Sequence, residues 1–164
     1  MRKILLREEK GMEQEIRNAD LSDMMCDLLY LLGCGVNEKM PAKAYIKTFQ
    51  EAYDEDKMQM MYRFSKAHFV EALTGTVLKK AGVKLPAEWE QSIAKANRKV
   101  ILFDRERAEI FSYMDEQRIW HMPLKGVILK EFYPSIGMRQ MSDNDILFDK
   151  DYAKQIRDYM ISRG

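Results

Sequence analysis

Two aspartates, Asp143 and Asp145, stand one residue apart directly before the apolar run Ile146-Leu147-Phe148. On an extended segment, side chains at i and i+2 leave the same side of the chain, and a rise of about 3.3 Å per residue sets their Cα atoms roughly 6 to 7 Å apart. Carboxylates so placed can converge on one Mg²⁺, a hard cation that takes oxygen ligands. A site of that kind serves phosphoryl or nucleotidyl transfer, where metal ions clamp a triphosphate and offset its charge. Spacing alone does not single them out. Asp54/Asp56, Glu88/Glu90, Asp104/Glu106 and Asp149/Asp151 share it, and those pairs read as helix caps or solvated helix faces. Asp143 and Asp145 differ in their company. Upstream lie an apolar approach ending in Lys125-Gly126, a short helical stretch, a turn around Pro134 and Gly137, and then Arg139.

Leu124-Lys125-Gly126, Tyr133-Pro134, Arg139 and Ser142-Asp143-Asn144-Asp145-Ile146-Leu147, in that order, resemble the uncharacterised nucleotidyltransferase family of the polymerase-beta-like superfamily. The resemblance covers about Ile119 to Gly164. It implies that Asp143 and Asp145 are catalytic, metal-binding carboxylates, with magnesium as the divalent cation and a nucleoside triphosphate as substrate. It also implies that Gly126 lies where phosphates approach and that Lys125 and Arg139 contact them. The chain departs from the family's pattern in three places. Gly126-Val127 replaces the more usual Gly-Ser or Gly-Gly, and Asn144 stands between the acids where an apolar residue is usual. The third carboxylate, on a later strand, would fall beyond Gly164. The chain is therefore expected to be the amino-terminal portion of a longer enzyme-like protein, weakly active or inactive alone.

The elements that must hold these residues are mostly helical. Ile16 precedes Leu21, Met24, Met25, Leu28, Leu29 and Leu32, which recur at three- and four-residue spacing, predicting an amphipathic helix over 12–32 closed by Gly33 and Gly35. Cys26 is expected to pack in it as a small apolar residue. Pro41 opens a second helix to about Tyr53, with Tyr45, Ile46 and Phe49 inward. Asp54-Glu55-Asp56 suits the start of a third, predicted over 56–81 with Met61, Phe64, Phe69, Leu73 and Leu78 apolar and Gly82 closing it. His68 lies within that segment without an acid or thiol at a diagnostic spacing. From Pro86 to about Gln117, Trp89, Ile93, Ala96, Val100, Phe103, Ile110 and Met114 keep one face apolar. The texture then changes. A strand is predicted around 119–122, a short helix at 127–132, a second strand over 143–148 and a last helix from Lys150 to Arg163 capped by Asp149. His121 reads as a strand residue.

The fold class expected is α+β and predominantly helical: an amino-terminal helical bundle over 1–117, then the truncated start of a nucleotidyltransferase-like mixed sheet over 118–164. Hydrophobic residues at 46% and charged residues at 32% describe a globular chain. Lys plus Arg total 27 against 26 acids, so no overall field favours nucleic acid. No run of about 18 apolar residues is present, so no membrane span is expected. Cys26 and Cys34 match neither a redox nor a zinc spacing, which suits a reduced, cytoplasmic protein, and the 13 methionines read chiefly as core filler. The function expected is Mg-dependent transfer of a nucleoside monophosphate from NTP to an acceptor that is a small molecule, protein or nucleic acid. The alternative is a non-catalytic helical binding or regulatory module in which the two aspartates are only loop acids. Two strands are marginal alone, and an unpaired strand edge invites homo-oligomer formation.

Overall fold

The computed structural model describes residues 21–163. Helix α1 covers residues 21–36, followed by α2 (Lys43–Ala52), α3 (Glu55–Ala67), α4 (Glu71–Lys80) and the long α5 (Ala87–Glu116). Strand β1 (His121–Pro123) then leads into α6 (Gly126–Leu129), which tightens into a 3₁₀ turn at Lys130–Phe132. Strand β2 (Ile146–Phe148), a second 3₁₀ turn at Lys150–Tyr152 and α7 (Ala153–Ser162) complete the order. The architecture is α+β and predominantly helical, as the sequence predicts. No helix among the described residues is long and apolar enough to cross a membrane.

Met24, Leu28 and Leu31 form the inward face of α1, while Leu21, Met25 and Leu29 on the same helix are exposed. The expected start at residue 12, and Ile16, lie outside the described residues. Gly33 and Gly35 do not end the helix. It runs through both, and Gly35 uses its missing side chain to meet Val77 and Leu73 of α4 closely. The stop comes at Glu38, in the left-handed region at φ 56°, where Lys39 N–H donates to the Cys34 carbonyl at 2.9 Å. Cys26, expected to be packed, is exposed on α1, and Cys34 is the buried thiol.

The helix predicted over 56–81 is two. Val70 N–H donates to the Ser65 carbonyl at 3.0 Å and Phe69 N–H to the Lys66 carbonyl at 3.1 Å, with Phe69 at φ 57°. That pattern closes α3 with a phenylalanine where glycine is usual. Phe69, expected on an apolar face, is 77% exposed. The periodicity of α5 holds: Trp89, Ala96, Val100 and Met114 are buried along it. At 1.5 Å per residue it is about 45 Å long, enough to touch two apolar clusters. The larger gathers Leu28 and Leu31 from α1, Phe49 from α2, Met61 from α3, Leu78 from α4 and Trp89 from α5. The smaller joins Met114, Ile119 and Ile156, with Ile146 and Phe148 against them.

Strands β1 and β2 pair antiparallel, with His121 opposite Phe148, Met122 opposite Leu147 and Pro123 opposite Ile146. Alternation turns Ile146 and Phe148 onto the smaller cluster and leaves Met122 and Leu147 exposed on the outer face. The second strand begins at Ile146 rather than at 143. Asp149 accepts from Asp151 N–H at 3.1 Å, so it caps the terminal helical segment as its residue type predicts.

Candidate functional site

The site is built where β1 gives way to α6. Leu124 N–H donates to the Asp145 carbonyl at 2.9 Å, carrying the ladder one residue past the strands. Val127 N–H then donates to the Leu124 carbonyl at 3.3 Å and closes a four-residue turn. Lys125 occupies its first central position at φ 46°, ψ −108°, a conformation that belongs to glycine in a type II′ turn. Strain of this kind costs about 1–3 kcal/mol and gathers at functional sites. The Lys125 ammonium reaches Asp145 Oδ2 at 3.1 Å. With side chains 76% and 38% exposed, that ion pair contributes well under about 1 kcal/mol. Relief of backbone strain therefore outweighs its loss. Lys125→Gly is expected to stabilise the protein by about 1 kcal/mol in urea denaturation, after allowing for the added freedom of the unfolded chain.

Arg139 lies across the turn. A Cβ placed on Gly126 would stand 3.5 Å from Arg139 Nη2 and 3.6 Å from Met141 Cε, ordinary contact distances, so the guanidinium packs directly over this residue. The Nε of Arg139 is buried without a hydrogen-bond partner. Such a donor costs about 1–3 kcal/mol if left unmade, and an anion is what it would take. Gly137, which sets up this approach, is in the left-handed region at φ 77°, with its Cβ position 2.9 Å from the backbone nitrogen of Asn97 on α5. Both the conformation and the space require glycine.

Asp143 and Asp145 lie on the segment just before β2, not within the strand. The reason is Asn144. Its Nδ2 donates to the Phe103 carbonyl at 3.1 Å, and Arg107 Nη1 donates to its Oδ1 at 3.1 Å. The residue that departs from the family's pattern is thus the anchor tying the acidic segment to the middle of α5. Asp143 is exposed, with no hydrogen-bond or ion-pair partner among the described residues. Asp145 is half-buried beside Lys125. The turn and the acidic segment are joined by the Leu124–Asp145 hydrogen bond and the Lys125–Asp145 ion pair. Among the described residues, no group of three His, Cys, Asp or Glu side chains is placed to hold a metal.

A second set of charges supports the first, and sequence reasoning missed it. Asp104 accepts from Arg107 Nη2 at 2.6 Å through one oxygen and from Lys130 Nζ at 2.6 Å through the other. Burial alone would raise the Asp104 carboxyl, but the hydrogen bonds from Lys130 and Arg107 outweigh it and hold the group below the usual carboxylate range. Burial likewise pulls the Lys130 ammonium down, and Asp104 with Glu131 more than reverses that, leaving it raised. In sequence, Asp104 looked like any solvated acid on a helix, and only its facing of α6 distinguishes it. A cavity of about 240 Å³ between Asp104, Lys130, Tyr133, Ser135 and Arg139 adjoins the turn.

His121 is a strand residue, its Nδ1 3.1 Å from the Ile119 carbonyl and its ring against Phe111. His68 caps α3 in the open, its ring edge on Phe64.

Neither the curated proteins nor the solved structures compared with this chain include a match. A family model does match, and over more of the chain than the resemblance from Ile119 onward. It begins at Asp54, the cap of α3, and takes in α3, α4 and α5 as well as the turn and both aspartates. Residues 54–164 match the family described as uncharacterised nucleotidyltransferase, and this chain belongs to that family.

Proposed function

We propose that the Lys125–Asp145 region binds a nucleoside triphosphate with Mg²⁺ and serves transfer of its nucleoside monophosphate to an acceptor. The observation that carries this reading is the unpartnered Arg139 Nε buried against Gly126, next to a strained lysine that is ion-paired with Asp145. Arg139 and Lys125 offset phosphate charge in this reading, as a planar fork and a mobile point charge respectively. Asp143 and Asp145 would hold the cation. Their donor set fits it, since Mg²⁺ is commonly held by one or two carboxylates, with waters and substrate phosphates completing the shell. Bound there, magnesium supplies charge neutralisation of the triphosphate. Lys125 exchanges its contact with Asp145 for a phosphate when substrate enters.

Calorimetry of MgATP against the protein tests this. The expected result is weak binding, near millimolar, with Mg²⁺ strengthening it. Asp143→Asn with Asp145→Asn should weaken MgATP about tenfold and abolish the Mg²⁺ effect, with the fold intact by circular dichroism. An unaltered metal response in that variant favours the second reading, a helical binding module. The absence of a three-ligand cluster among the described residues is the observation on that side. In either reading, the exposed Met122 and Leu147, beside strand edges that are unpaired among the described residues, favour self-association.

A further inference from the structure

A cavity of about 520 Å³ opens between α3, α4, α5 and the segment leading into Asp143, with Phe69, Glu71, Lys95, Lys99, Gln140 and Met141 among its walls. Three features of it stand out. Glu71 is only 7% exposed, and Gln140 Nε2 donates to its Oε1 at 2.7 Å. Glu71 Oε2 and Gln140 Oε1 are both buried without a hydrogen-bond partner. Native structures rarely leave such acceptors unmade. Phe69 is held at φ 57° with its ring 77% exposed, an outlier for a bulky residue on both counts. Lys95 and Lys99, one turn apart on α5, have no acidic partner among the described residues. Met141 walls the cavity and also approaches Gly126, its Cε 3.6 Å from that Cβ position. The cavity therefore adjoins the Lys125–Asp145 site.

We propose that this cavity receives the base of a guanine nucleotide. Under its floor the Glu71 carboxylate holds two acceptor oxygens, one unpaired and one covered by a Gln140 carboxamide N–H, so a ligand that displaces the carboxamide must bring adjacent donors. Guanine does so with its ring N–H and amino group. Adenine and cytosine set an acceptor beside their amino group, and uracil offers a single donor. Glu71 Oε2 is closed off as the side chains stand, so the base edge reaches the carboxylate when the half-buried Gln140 carboxamide turns aside and gives up its bond to Glu71. Phe69 supplies a ring face for stacking, and the lysines offset phosphate charge. The phosphate end of this inference rests on the nucleotide reading of Asp143 and Asp145; the base end stands on the cavity.

Calorimetry of the full chain with GTP, ATP, CTP and UTP, each with Mg²⁺ and with EDTA, tests it. GTP should bind at least about tenfold tighter than the others, because a hydrogen-bonding site rejects ligands that leave its polar groups unpaired. Glu71→Gln should erase that preference. Phe69→Gly, at an exposed position that favours glycine, should weaken GTP about tenfold without lowering Tm. Equal affinities, or a preference that survives both substitutions, overturn the proposal. A magnesium effect without base preference sinks the cavity alone, whereas a base preference without magnesium effect sinks the two-aspartate reading alone.

Discussion

Gly75→Val is expected to cost about 3–4 kcal/mol and lower Tm by about 10 °C. Gly75 is the point where α4 lies on α5. A Cβ there would run into the Trp89 indole and stand 2.9 Å from Ile93 Cδ1. Trp89 is fully buried and donates through Nε1 to the Glu71 carbonyl at 2.7 Å. It cannot move aside without breaking that bond, and a branched side chain cannot be accommodated by a flexible neighbour. Overpacking and an unmade buried hydrogen bond therefore add. Thermal unfolding checks the loss, with Gly33→Ala as control. Gly33 is exposed on α1 and its Cβ position meets nothing within 4 Å, so alanine there should stabilise by up to about 1 kcal/mol through helix propensity.

Asp104→Ala is the second large effect, about 3 kcal/mol in urea denaturation at pH 7. Asp104 holds two cations whose side chains are 14% and 12% exposed, Lys130 and Arg107. Removing the carboxylate leaves Arg107 with only the neutral Asn144 and Lys130 with only the exposed Glu131, and breaking a largely buried pair from one side costs far more than the pair is worth intact. The pH dependence follows from directions alone. A carboxyl held below its unfolded value contributes stability that is present above that value, near pH 4, and is lost as pH falls through the folded one. Asp104→Asn should therefore flatten the acid limb of stability below about pH 4. The raised Lys130 contributes in the opposite sense, present below its unfolded value and lost only in strong alkali. If stability at pH 7 is unchanged in Asp104→Ala, the network does not hold α6 to α5.

The aperiodic parts of the chain resisted reading where tertiary contacts overrode local signals. The face of α5 was legible because Trp89, Ala96, Val100 and Met114 repeat with the helix and stay buried. The Lys125-Gly126 turn and the Asp149 cap were legible because their residue types carry local meaning. The break at Phe69 was not, since neither glycine nor proline marks it. The shortening of β2 was not either, because Asn144 leaves the extended line to bond Phe103 and Arg107, some forty positions earlier. A separation of 26 positions likewise hid Asp104 with Lys130. Glu71 with Gln140, bonded across 69 positions, had no local signature at all.

The tether at Asn144 fixes where the acidic segment takes its bearings. Through Asn144 the acidic segment is registered to the midpoint of a thirty-residue rod, and Asp145 is tied as well to the end of β1 by the Leu124 hydrogen bond. Fraying at the far ends of the two three-residue strands can proceed while the rod keeps this segment on station.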